Sequence, residues 1–67
     1  MEVYALAFYL CTTVMASDIS ERVCSWQVGD YYDSPAECVF NIHMIKRDLE
    51  DDNNEITEAT CTPATVL

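Results

Sequence analysis

Six carboxylates, Asp48, Glu50, Asp51, Asp52, Glu55 and Glu58, fall within eleven consecutive positions of this chain. Carboxylates at that density can hold a divalent cation, work as an acid–base pair, or present negative charge to a cationic surface. The segment lacks the D-x-[DN]-x-[DN]-G order and the glycine at the sharp bend that an EF-hand loop requires. Acid–base chemistry needs a pocket in which the two carboxyl groups are held apart, and 67 residues leave little core from which to build one. The third use is the one we expect, set against a plain solvated face that only keeps the domain soluble. A second acidic group, Asp30, Asp33 and Glu37, flanks Tyr31 and Tyr32. Twelve acids against three bases give a net charge of −9, beyond the magnitude of about 2–8 that suffices to keep a small domain soluble. Such a surface repels nucleic acid and attracts Lys and Arg. Carboxylates spaced on a small rigid frame imitate phosphates and steer association with a groove that normally binds them. The expected partner is therefore a protein with a basic surface, with no direct nucleic-acid contact and no membrane.

The other reactive side chains point to no catalyst. His43 is the only histidine, and no serine or cysteine nucleophile accompanies it in a recognisable motif. The four cysteines, Cys11, Cys24, Cys38 and Cys61, are widely spaced and form no C-x-x-C pair, whereas zinc thiolate sites use paired ligands two to four residues apart. No metal or cofactor is expected. We read the cysteines as small buried thiols in a reducing cytoplasm. In an oxidising compartment they would form two disulfides, and placement then favours Cys11 with Cys24 across a hairpin and Cys38 beneath a helix with Cys61.

The elements that must carry these residues are legible from pattern. Val3 to Val14 is rich in Tyr, Phe, Val, Leu and Thr and reads as a strand with two apolar faces, Tyr4, Leu6, Phe8 and Leu10 on one and Val3, Ala5, Ala7, Tyr9 and Cys11 on the other. Ala16 to Ser20 supplies turn chemistry. Arg22 to Val28 alternates as a second, antiparallel strand that Gly29 closes. Ser34-Pro35-Ala36-Glu37 is a helix start: serine at the N-cap, proline at the first position, glutamate three residues after the cap reaching back. Within that helix Cys38, Ile42, Ile45 and Leu49 form one stripe, and Phe40 with Met44 lies on nearly the opposite face. Glu55 to Thr62 reads as a third strand, with Ala59 and Cys61 on one side, Ile56, Glu58 and Thr60 on the other, and Pro63 as its stop. The expectation is an α+β fold in a single domain, residues 1–67: β-β-α-β, a three-stranded antiparallel sheet with one helix on one face.

One helix covers one face of a sheet, so the second apolar face of the first strand needs a partner. A homodimer through that face and the Phe40/Met44 stripe is one answer, since Met and aromatic residues suit interfaces. The apolar run from Val3 to Met15 also has the look of a secretory leader. Glu2 stands where a basic residue belongs, and cleavage after Ala16 would leave three cysteines, so we read the run as a core strand and the protein as cytoplasmic. It is shorter than the about 20 apolar residues that cross a bilayer.

An apolar strand ending in a cysteine, a second strand with a cysteine near its start, Tyr32-Asp33-Ser34-Pro35-Ala36-Glu37-Cys38 opening a helix and Thr60-Cys61-Thr62-Pro63 in a closing strand together resemble the layout of small acidic proteins encoded by bacteriophages and mobile elements. The resemblance implies an inhibitor of a host enzyme or defence complex, such as a CRISPR effector or a DNA-repair enzyme, acting in the host cytoplasm. Two other functions compete with it: a dimeric accessory subunit and a secreted, disulfide-stabilised module.

Overall fold

A computed structural model describes residues 2–65. Its elements are β1 (Glu2–Ala16), β2 (Ile19–Tyr32), α1 (Pro35–Leu49) and β3 (Asn54–Thr65). The β-β-α-β order and the three-stranded antiparallel sheet with a single helix are as the pattern predicts. The strand order is β2-β1-β3. The most apolar segment of the chain thus takes the centre, where hydrogen bonding on both edges and burial on both faces suit a run without charges.

All three strands outrun their expected ends, and two bulges explain what simple alternation missed. On β3, Glu58 pairs with Tyr9 while Ile56 pairs with Leu10, leaving Thr57 as the extra residue. That insertion moves Ile56 to the same face as Ala59 and Cys61, where it is buried, rather than beside Glu58. On β2, Val28 pairs with Ala7 and Tyr31 with Ala5, so Gly29 and Asp30 together oppose Leu6. Gly29 does not close the strand; it makes room. A Cβ there would stand 2.9 Å from Leu6 Cδ2, and Leu6 is fully buried. Pro63 does not end β3 either. It pairs with Tyr4 on an edge strand, where a proline costs no ladder bond if its nitrogen faces outward.

The helix begins where its cap places it. The Ser34 hydroxyl accepts from the Glu37 amide at 3.2 Å, Pro35 occupies the first turn, and the Cys38 N–H donates to the Ser34 carbonyl at 3.1 Å. The reciprocal bond from the Ser34 N–H to the Glu37 carboxylate is not formed among the described residues, so half of the capping box operates. Cys38, Ile42 and Ile45 face the sheet and pack with Leu6, Phe8 and Ile56. Leu49, the last member of the expected stripe, is exposed where the helix ends. Lys46 and Arg47 in the last turn complement the helix dipole that Asp48 and Glu50 oppose.

Both cysteine pairs are bonded, Cys11 with Cys24 and Cys38 with Cys61. The pairing is the one placement favours, and it replaces the reading of free thiols. Cys11 and Cys24 are register partners with Cα atoms 4.0 Å apart, the close approach of a non-hydrogen-bonded antiparallel pair. The bridge pins the root of a projecting ribbon. β3 begins opposite Thr12, the Thr13 N–H donates to the Asn53 carbonyl at 2.7 Å, and from there β1 and β2 run on as a two-stranded hairpin. Its two-residue tip has Ser17 at φ 54°, the positive value a tight hairpin loop needs at that position. The Cα extents of 51 × 22 × 13 Å reflect this arm.

The sheet face away from α1 is partly self-covered. Val3 and Cys11 are buried, and Tyr9 packs against Trp26 with ring centroids 5.3 Å apart. Ala5, Ala7 and Tyr9 are half-buried, while Trp26, Val28 and Tyr31 remain exposed.

Two substitutions test the Gly29 contact. Gly29→Ala is expected to destabilise the protein by about 1–3 kcal/mol, as overpacking does, and Leu6→Ala by about 2–5 kcal/mol through its cavity. Because the added methyl fills space that the leucine vacates, the double variant should be more stable than the sum of the two losses. Urea unfolding of the four proteins measures this; strict additivity would show that the two sites do not touch.

Candidate functional site

The two acidic groups sit at opposite ends of the sheet. Asp48 and Glu50 close α1, Asp51 and Asp52 form the connection to β3, and Glu55 and Glu58 lie on β3, all exposed. Asp30 occupies the β2 bulge, Asp33 the connection to the helix and Glu37 its first turn, also exposed. Tyr4 marks the β2–α1 end and Thr12 the α1–β3 end, eight residues apart, or about 26 Å along an extended strand. The acids do not converge, and among the described residues no three of His, Cys, Asp and Glu group to hold a metal ion. Phe40 and Met44 lie outside the core cluster, Phe40 exposed and Met44 half-buried.

Little basic charge offsets these carboxylates. Arg22 donates to Glu55 at 3.0 Å and Arg47 approaches Asp48 at 3.7 Å, every one of these side chains more than half exposed. Exposed pairs of this kind contribute about 0–1 kcal/mol each. The remaining acids face solvent with no cation against them among the described residues.

Two members of the acidic run have local work to do. The Asp51 Oδ1 accepts from the Asn53 N–H at 2.7 Å, the Asn54 N–H at 2.9 Å and the Asn54 Nδ2 at 3.1 Å. The Asp51 N–H in turn donates to the Asn54 carbonyl. The hydrogen bond from the Asn53 amide holds the Asp51 carboxyl below its ordinary value; desolvation works against it, and the Asn54 side chain and amide reinforce it. The Glu50 Oε2 accepts from the Ile56 N–H at 3.2 Å, and the Thr12 hydroxyl donates to the Asn54 Oδ1 at 2.8 Å. These bonds join the helix end to the first residues of β3. The Asp-Asp-Asn-Asn sequence carries the signal for this turn, since an aspartate readily accepts from backbone amides two residues on.

An open groove of about 250 Å³ runs between α1 and β3, with His43, Lys46 and Glu58 along it and Ile42, Ile56 and Ala59 at its floor. No hydrogen bond or ion pair joins His43, Lys46 and Glu58 among the described residues. No helix among the described residues is long and apolar enough to cross a membrane.

No protein-family profile matches the chain, and no curated protein or solved structure proves similar to it.

Asp51 ties pH to stability. Its carboxyl is depressed in the folded chain, so its contribution is fully present above the ordinary 3.8 of an aspartate and is lost as pH falls through the lower folded value. Asp51→Ala should lower the melting temperature at neutral pH, and the gap from the parent should narrow as the pH drops below that value. Thermal melts across an acid titration measure it; a constant gap would show that ionisation of Asp51 is irrelevant to the turn.

Proposed function

We propose that this protein is a non-enzymatic, disulfide-stapled binding module that engages a Lys- and Arg-rich surface on another protein. The observation that carries the reading is the exposure of the acidic side chains with so few cations beside them. Charge presented this way acts at a distance, raising association rates and selecting partners by sign more than it adds affinity. The frame is stiff enough for that purpose: one bridge anchors the hairpin and the other anchors the helix. Two disulfides in so short a chain favour an oxidising compartment over the cytoplasm that the sequence alone suggests.

The charge also supports a second reading, the phage-type inhibitor. In that case the same acids occupy the phosphate-binding groove of a host nucleic-acid-binding enzyme or defence complex, and the thiols are free in the cytoplasm. Both readings use the same surface and differ in compartment.

The turn chemistry dictates which acids to neutralise. Asp51 and Glu50 hold the connection to β3, so Asp48→Asn, Asp52→Asn and Glu58→Gln form the informative triple variant. It should keep the parent's melting temperature within experimental error. Proteins retained by the immobilised chain at about 0.1 M salt should be lost with the triple variant and released from the parent near 1 M, as the Debye length falls from about 10 to about 3 Å. Retention that survives the triple variant and high salt but disappears with Phe40→Ala or Met44→Ala would overturn the electrostatic reading and move the site to the helix.

A further inference from the structure

The two edges of the sheet are unlike. β3 is guarded: Pro63 interrupts its hydrogen-bonding row, Thr57 bulges, and Glu55 and Glu58 line it, which are the devices that keep sheet edges from pairing. β2, the other edge, runs for 14 residues, and from Val23 to Gly29 it holds no charge and no proline. Val23, Trp26 and Val28 on this stretch are exposed, Val28 at 75%. The free groups of this edge can be assigned. The Thr13 N–H points toward β3, so Thr13 and its β2 partner Arg22 form a non-hydrogen-bonded pair, and the backbone of Arg22 faces outward. Alternation then turns Cys24, Trp26 and Val28 outward as well. Four consecutive outward positions, with apolar side chains beside them, are an unfilled strand site.

We propose that the outer edge of β2 pairs antiparallel with the same edge of a second copy of this chain, forming a continuous six-stranded sheet centred on Ser25, with Arg22 opposite Val28 and Cys24 opposite Trp26. Three features select a second copy over a foreign strand. The edge is electrically neutral where the rest of the chain is strongly acidic, Glu21 and Arg22 being its charges before Asp30. Antiparallel pairing about Ser25 sets Arg22 of each copy opposite Val28 and Glu21 opposite Gly29 of the other, so no two like charges face each other directly across the seam. The acidic run from Asp48 to Glu58 lies on the β3 side, so the two runs are separated by the full width of the six strands. At about 4.8 Å per strand that is about 24 Å, well past the Debye length of about 8 Å at physiological salt. The guarded β3 edge closes the assembly at two, because a dimer joined through β2 has β3 at both outer edges. The dimer also merges the exposed Trp26, Val28 and Tyr31 of the two copies into one apolar strip on the face away from the helices. This inference is independent of the acidic-surface reading, whose test residues Asp48, Asp52 and Glu58 lie toward the β3 side.

The test is the sedimenting mass of the full chain with two variants at Val28. Val28→Lys sets a cation near Arg22 of the other copy, and Val28→Pro removes an outward N–H that serves no bond within the protomer. The parent should sediment at twice the chain mass, with slow amide exchange at Trp26 and Val28. Each variant that keeps the parent's circular dichroism should sediment at half the parent mass. Thr62→Lys, on β3, should leave the dimer intact. A parent that stays monomeric at its highest soluble concentration overturns the proposal, as does fast exchange at Trp26 and Val28 in a dimer. A dimer that survives both Val28 variants but is lost with Ala7→Lys would place the interface on the open sheet face instead.

Discussion

The Cys38–Cys61 bridge is the constraint on which the rest of the molecule depends. It joins the first turn of the helix to the edge strand β3, whose Cys61 pairs with the wholly buried Leu6 on β1. Few of the described side chains are buried: Val3, Leu6, Phe8, Cys11, Cys38 and Ile56 form the core. A core of that size holds a single helix weakly, and small domains ordinarily add cross-links for this reason. Closing the loop between residues 23 apart stabilises by about 3 kcal/mol in the chain-entropy account, comparable to burying one or two large apolar side chains. With the helix tied down, Ile42 and Ile45 reach Phe8 and Ile56, and the helix end delivers Asp51 to the turn that starts β3.

Much of this architecture is legible in the residues because local and global preferences agree. Serine, proline and glutamate at positions 34, 35 and 37 specify a helix start, and the structure places it there. The apolar run from Val3 to Val14 reads as a strand with two dry faces, and it becomes the central one. The misassignments share a cause: period-two reasoning presumes unbroken alternation, and a bulge shifts it by one. Thr57 does this to Ile56, and the Gly29–Asp30 pair does it to the end of β2. Neither bulge has a residue signature beyond an isolated glycine in one case. Pro63 reads as a stop, although an edge strand accepts it, and which strand is an edge is a matter of topology that no local pattern carries.

The acidic residues show the same division. Their exposure and the scarcity of basic partners for them follow from composition, whereas their partition between turn and surface does not. Asp51 and Glu50 accept backbone amides that would otherwise be unsatisfied at the entry to β3. Asp48, Asp52 and Glu58 accept none among the described residues; Asp52 and Glu58 also have no cation against them there, while Asp48 lies 3.7 Å from Arg47. The sheet is polarised accordingly, with an acidic, proline-guarded edge at β3 and a neutral, open edge at β2. A molecule with one reactive edge and one charged edge suits assembly on one side and recognition on the other.

The account rests on the cysteines being paired, and their state can be counted. Thiol titration of the protein denatured without reductant, followed by mass mapping of its proteolytic fragments, should find no reactive thiol and two linked fragments, one joining Cys11 to Cys24 and the other Cys38 to Cys61. Four reactive thiols in protein taken directly from its cells would contradict it, returning the cysteines to the core as small apolar residues and the protein to a reducing cytoplasm.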